Sequence, residues 1–560
     1  MKRIFAAVLC IAMLCGFPVV NAQEAVVSVE KDTLLSALYE ADISAMQEAL
    51  SLGLVTSEEL TQYYLQRIED YNEPYNCFIT ICDNALEVAR QRDADRKKGL
   101  AEGALFGIPI VVKDNMDYEG YHTTNGYYKK DSQIAKENAD VVQAFVDAGA
   151  VIIAKANMST AAQDALCSKS QVAGETKNAY NTTMAAGGSS GGSAVATSLN
   201  FAAAALGTDT NSSLRIPAAL NGCVSLRPTF GLLSNKGIKR LNSTRDTAGA
   251  ITRTVYDQAL MLDVLTGGTQ HYTENLNGQV LTGMRIGILE ELSYATSKEA
   301  KRKESNLDKE VSEAFANAVK ELESLGAEVV SVSFPKLFSL SNRTFSSGDA
   351  TYKEALYNAY LEVLEENDVS VLIYPSYLSA PIRSGVDENG KKWSATSQVN
   401  INNCRTLSPS AGLPEITVPI GVHSRGSGIG MEIAAPKNCE QLLLDIAYSY
   451  TQSYDHRQAP EGAPDSYQDA NQGSLPAVID DYLYRVAQMQ TEPTTLPEET
   501  AATATETVSS AVEATPVAKQ NDTLLLYAVL AATALMSIIV VVLIVKQARR
   551  QKKKHKEPVA

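Results

Sequence analysis

Amphipathic stretches that close on a glycine and lead into short β-branched runs recur along this chain, which restricts it to folds that alternate helices with strands. Ala139–Ala148 carries a helical pattern, Gly149 follows, and Ala150–Ala154 is an apolar run. Val311, Phe315, Val319 and Leu322 form a second helical stripe, which ends near Gly326 before Val329–Phe334. Glycine suits the left-handed position after a helix, and short β-branched runs suit buried strands. The expected fold class is therefore α/β, with a mixed central sheet covered by helices on both faces. Residues 30–488 read as one continuous domain of this kind, with no repeat of fixed period.

The two ends obey other rules. Met1–Ala22 opens with Lys2 and Arg3, continues through apolar Ile4–Met13 and closes on Val20-Asn21-Ala22, the three parts of a signal peptide. Leu524–Val545 is uncharged and nearly all apolar, long enough to cross a bilayer as a C-terminal transmembrane helix. Lys546, Arg549, Arg550, Lys552, Lys553, Lys554 and Lys556 follow it, so residues 546–560 are expected to form a basic cytoplasmic tail. Residues 491–523, rich in Thr, Ala, Glu and Pro, read as a disordered stalk. The expected location is the cell membrane, crossed once, with the catalytic domain outside.

Charge narrows the partners. The chain has 49 Lys and Arg against 65 Asp and Glu, a net charge of −16, and its globular part is more acidic still without the basic tail. Such a surface repels phosphate backbones, so no nucleic-acid partner is expected. Of eight cysteines, Cys10 and Cys15 lie in the signal peptide, whereas Cys77, Cys82, Cys167, Cys223, Cys404 and Cys439 are scattered without zinc spacing. No metal or cofactor is expected. The remaining histidines outside the tail, His122, His271, His423 and His456, sit in no nucleophile-elbow or zinc context.

Three segments carry chemistry. Gly107-Ile108-Pro109-Ile110-Val111-Val112-Lys113-Asp114-Asn115 is an apolar strand that delivers a lysine at its C-terminal end, where ligand sites of open α/β sheets lie. Gly187-Gly188-Ser189-Ser190-Gly191-Gly192-Ser193 has the composition of a linker, yet Ala-rich apolar sequence flanks it. The third segment is Gly207-Thr208-Asp209-Thr210-Asn211-Ser212-Ser213-Leu214-Arg215-Ile216-Pro217-Ala218. In this order the three resemble the amidase signature family. Asn157-Met158-Ser159, Gly174–Asn178, Arg227–Gly231, Asp246–Gly249 and Gly412-Leu413-Pro414 look like further blocks of that family, in family order.

The resemblance implies a mixed sheet sandwiched by helices, a Ser–cis-Ser–Lys triad, and an amidase domain over residues 30–488. Lys113 matches the family's base, Ser189 its bridging serine and Ser213 its nucleophile. A serine hydroxyl attacks only when a base takes its proton, and lysine is a base only when burial keeps it neutral. Backbone N–H groups of Thr210, Asn211, Ser212 and Ser213 would form the oxyanion hole. Ser190, Asp209 and Arg215 are structural or pocket-lining candidates. Where many members have Gly-Gly before the nucleophile, this chain has Asn211-Ser212, whose side chains would crowd the hole if these positions took positive φ. Asn157-Met158-Ser159 and Asn211-Ser212-Ser213 also fit the N-glycosylation pattern, and a glycan on the second would block the site. A bacterial host therefore fits this exported chain best.

The expected function is hydrolysis of a carboxylic amide, at a bond other than a peptide bond, through an acyl-Ser213 intermediate at the outer face of the membrane. The expected partners are a small-molecule or peptide amide substrate and the membrane. Two alternatives stand beside it: a glutaminase-type component of an amidotransferase, and a catalytically weak, surface-displayed binding protein.

Overall fold

The short β-branched and apolar runs form a sheet. The computed structural model describes residues 31–465 except 129, 131, 294–307, 348–349, 380–382 and 385–402, together with residues 29 and 474–491. Its strands are β1 (Phe78–Ile81), β2 (Pro109–Lys113), β3 (Val151–Ala156), β4 (Lys169–Ser170), β5 (Gly174–Glu175), β6 (Ala204–Asp209) and β7 (Val224–Arg227). Then come β8 (Thr247–Thr252), β9 (Arg285–Leu289), β10 (Glu328–Val332), β11 (Val371–Pro375), β12 (Glu415–His423) and β13 (Ser427–Ala434). Strands β4 and β5 make a small hairpin; the other eleven form one sheet in the order β1-β3-β2-β6-β8-β7-β12-β13-β11-β9-β10. Strands β3, β2 and β6 run parallel, as do β11, β9 and β10, and every pairing between those two groups is antiparallel. The sheet is thus mixed, within an α/β fold.

Both helix–glycine–strand units are present. The first helix runs Asp140–Asp147 and leads through Gly149 (φ 87°) into β3; the second runs Lys309–Ser324 and leads through Gly326 (φ 93°) into β10. Two large apolar cores lie along the sheet. One gathers Ile110, Val112, Ile152 and Leu206 from the β3-β2-β6 part. The other gathers Ile286, Ile373, Ile416 and Ile433 from the β12-to-β9 part. Five consecutive residues of β2 are buried because a central parallel strand is covered on both faces.

The last described helix, Leu475–Thr491, continues three residues beyond the expected domain end at 488 and includes the first residue of the expected stalk. Among the described residues no helix is long and apolar enough to cross a membrane. The expected signal peptide (1–22), the stalk after Thr491, the span (524–545) and the basic tail (546–560) lie outside the described residues. The six scattered cysteines are all free thiols.

Candidate active site

Lys113 is the last residue of β2, and Asp209 is the last residue of β6, its parallel neighbour. The C-terminal ends of two adjacent parallel strands therefore bring the first and third segments together, the place where open α/β sheets hold ligands. The Gly/Ser segment joins them. All of Gly187–Ser193 is buried, and its second half starts the helix Gly191–Ser198. Its glycines are demanded by packing rather than by flexibility. A Cβ on Gly188 would lie 2.4 Å from the carbonyl oxygen of Asp164, and one on Gly192 would lie 2.3 Å from that of Asn157. The Gly188–Ser189 peptide is cis.

Lys113 Nζ lies 2.7 Å from Ser189 Oγ, 2.9 Å from Ser190 Oγ and 2.8 Å from Thr208 Oγ1. Lys113, Ser189 and Ser190 have no solvent exposure, and Ser213 has 4%. Burial pushes the Lys113 ammonium down to about 7, against the opposing pull of the Asp209 and Asp246 carboxylates. A neutral fraction is thereby present near pH 7. Ser213 joins the cluster through its backbone, its carbonyl accepting from the Ser190 N–H at 3.3 Å.

The hydroxyl of Ser190 is fully committed. It donates to the Thr208 carbonyl (3.1 Å) and accepts from the Thr208 N–H (3.3 Å) as well as from Lys113. It can therefore take an N–H from neutral Lys113 but offer no proton back. Asn115 Nδ2 donates to Thr208 Oγ1 at 3.1 Å, occupying one acceptor site of that hydroxyl. Ser190 therefore cannot compete with Ser189 for the lone pair of a neutral Lys113. Ser190→Ala should lower kcat roughly ten- to a hundredfold by letting that lone pair swing, with a much smaller change in KM, as steady-state kinetics would read.

The Thr210–Ser213 loop is held from behind. Asp209 accepts from Arg215 Nε (3.2 Å) and the Leu214 N–H (3.2 Å) through one oxygen, and from Arg227 Nη1 (2.9 Å) through the other. Burial alone would raise the Asp209 carboxyl, but Arg215 and Arg227 hold it below its ordinary value. Arg215 Nη2 donates to the Asn211 carbonyl at 2.9 Å. Among the described residues the backbone N–H groups of Thr210, Asn211 and Ser213 donate to no protein acceptor. Neither Asn211 nor Ser212 adopts positive φ, and Asn211 Oδ1 accepts from Arg245 Nη1 at 3.2 Å. The anticipated crowding by Asn211 is thereby relieved, since its side chain is tied to Arg245. Of the two sequon asparagines, Asn157 is fully buried and Asn211 partly so.

The structure therefore brings Lys113, Ser189, Ser190 and the Thr210–Ser213 loop together, and places Asp209 and Arg215 beneath them. It adds Thr208 and Asn115, which lie within the three segments but carry no role that the sequence alone reveals. The β2–β6 register pairs Val112 with Leu206, so Thr208 lies two positions past the last pair and the strand period does not point to it.

The amidase family model matches residues 59–348. The chain belongs to the amidase family. It is 28% identical over 501 residues to a component of the glutamyl-tRNA(Gln) amidotransferase of Caldanaerobacter subterraneus subsp. tengcongensis, covering 76% of this chain and 98% of that protein. The same component from Trichodesmium erythraeum is 30% identical over 491 residues, with 74% and 98% covered. Among solved structures, native peptide amidase from Stenotrophomonas maltophilia superposes with a TM-score of 0.64 at 26% identity, covering 76% of this amidase-family chain and 99% of that one.

Proposed function

We propose that this amidase-family protein hydrolyses a carboxylic amide through an acyl-Ser213 intermediate, with Lys113 as base and Ser189 as the bridging hydroxyl. The observation that carries the reading is a water-excluded lysine, pushed down to about 7 by burial, 2.7 Å from Ser189. Neutral Lys113 takes the Ser189 proton as Ser189 takes that of Ser213, and Ser213 Oγ attacks the amide carbon. Charge developing on the carbonyl oxygen is met by the backbone N–H groups of the Thr210–Ser213 loop. The proton returns through Ser189 to the leaving amine, the C–N bond breaks, and water then cleaves the acyl ester by the same relay. Lys113 and the two serines need no cofactor for these steps.

The chemistry is tested by assaying the purified chain against a panel of fatty, peptide and aryl amides together with glutamine. Release of amine from one of the amides in preference to glutamine supports the reading. Release of ammonia from glutamine alone would favour the second reading, a glutaminase-type component of an amidotransferase, which the full-length similarity to the amidotransferase relatives favours.

We also propose that the domain is exported and tethered, on the strength of residues 1–22, 491–523 and 524–545. A Thr/Ala/Glu/Pro stalk with few large apolar residues is an easy protease target. Protease added to intact cells is expected to release a soluble, active domain cut within residues 491–523. Recovery of activity only after lysis would contradict this orientation.

A further inference from the structure

Behind the proposed nucleophile loop lies a cluster of five ionisable side chains, all with no solvent exposure: Asp209, Arg215, Arg227, Glu415 and Glu432. Arg215 is its hub. Besides Asp209 and the Asn211 carbonyl, its Nη1 donates to Glu415 Oε1 at 2.8 Å and to Glu432 Oε2 at 3.3 Å. Glu415 opens β12 and Glu432 lies in β13; in that antiparallel pair Thr417 faces Glu432 and Glu415 faces Ala434. The two carboxyls are thus diagonal neighbours on one face of the sheet.

Three carboxyls face two guanidiniums, and an uncompensated buried charge is too costly to keep. With Lys113 neutral, the five side chains balance when one carboxyl holds a proton. Asp209 is bonded to both guanidiniums. Glu415 Oε1 takes the closer Arg215 contact and also accepts from the Tyr374 hydroxyl at 2.6 Å, so two donors converge on one oxygen. Glu432 makes the longer Arg215 contact, and its other oxygen accepts from the Ser376 hydroxyl at 2.6 Å. Burial, and then the neighbouring Glu415, drive the Glu432 carboxyl well above the usual carboxylate range.

We propose that Glu432 is the protonated member and Glu415 the charged member of a carboxyl pair that, through Arg215, positions the Asn211–Ser213 loop for reaction. Glu415 balances Arg215, and Arg215 fixes the Asn211 carbonyl and with it the direction of the N–H groups that follow. Both glutamates are positioning residues that touch no substrate. The inference rests on the reading of Ser213 as nucleophile.

The test compares Glu415→Gln with Glu432→Gln in the full chain, reading kcat, KM, melting temperature and the rate of Ser213 labelling by a fluorophosphonate. Glutamine is the closest neutral mimic of a protonated carboxyl, so it preserves what Glu432 supplies and removes what Glu415 supplies. The kcat of Glu415→Gln is expected to fall on the order of tenfold or more below that of Glu432→Gln, with labelling slowed in parallel and KM little changed. Equal losses, or the opposite ranking, would overturn the assignment. If Glu415→Gln does not fold, Glu432→Gln decides: a kcat loss under about fivefold supports the proposal and a larger one overturns it. Failure of the nucleophile reading would show separately, as wild-type protein that turns over without labelling at Ser213.

Discussion

Ser213→Ala is expected to lose turnover on an unactivated amide by on the order of 10⁴-fold or more while keeping its melting temperature close to that of the parent chain. The oxygen removed is the one that would form the acyl bond, and neither Ser189 nor Ser190 can take its place. Ser189 and Ser190 have no solvent exposure, Ser190 is committed to Thr208, and Ser189 faces Lys113. Stability should hold because Ser213 anchors the cluster through its carbonyl, which alanine keeps. The comparison requires protein freed of contaminating hydrolases, with melting temperature measured alongside kcat. Wild-type turnover in Ser213→Ala would remove Ser213 from the mechanism.

Lys113→Arg should be nearly as damaging, with a fall of roughly 10²–10⁴-fold in kcat/KM. The substitution preserves positive charge, so a lysine that merely balanced Asp209 and Asp246 would tolerate it. A base would not, because a guanidinium stays protonated at any working pH. With burial holding Lys113 at about 7, wild-type kcat/KM is expected to rise with pH through that value, since only the neutral amine accepts a proton. Stability follows the same ionisation. Between about 7 and the ordinary lysine value of 10.5, the unfolded chain carries a proton that native Lys113 has lost. Stability therefore rises with pH across that window and takes no pH dependence from Lys113 below it. A flat rate profile, or an active Lys113→Arg, would contradict the base assignment even with Ser213 essential.

Much of this site is legible in the sequence because its parts are local. A lysine ending an apolar strand and a Gly/Ser run in alanine-rich sequence are each ordinary alone, and it is their order with the third segment that marks the site. Asp209, Ser213 and Arg215 lie within seven residues, so one segment shows the proposed nucleophile and the two side chains beneath it together. The rest depends on pairings between distant parts of the chain. The commitment of Ser190 to Thr208 follows from a helix start packed against β6 and appears in no motif. Glu415 and Glu432 stand in apolar strands, and their meeting with Arg215 requires the strand order β7-β12-β13-β11. Residues about 200 positions apart are joined there, and local periodicity carries no record of such pairing. In the sequence Asn211-Ser212 reads as an obstruction because the Arg245 contact that holds the Asn211 side chain comes from 34 positions further on.

The proposed covalent acyl-enzyme at Ser213 can be trapped. Full-length protein treated with a fluorophosphonate, digested and analysed by mass spectrometry should carry one adduct, on the peptide containing Ser213. That adduct should be absent from Ser213→Ala and form much more slowly in Lys113→Arg. An adduct on any other residue, or labelling of Ser213→Ala at the wild-type rate, would contradict the account.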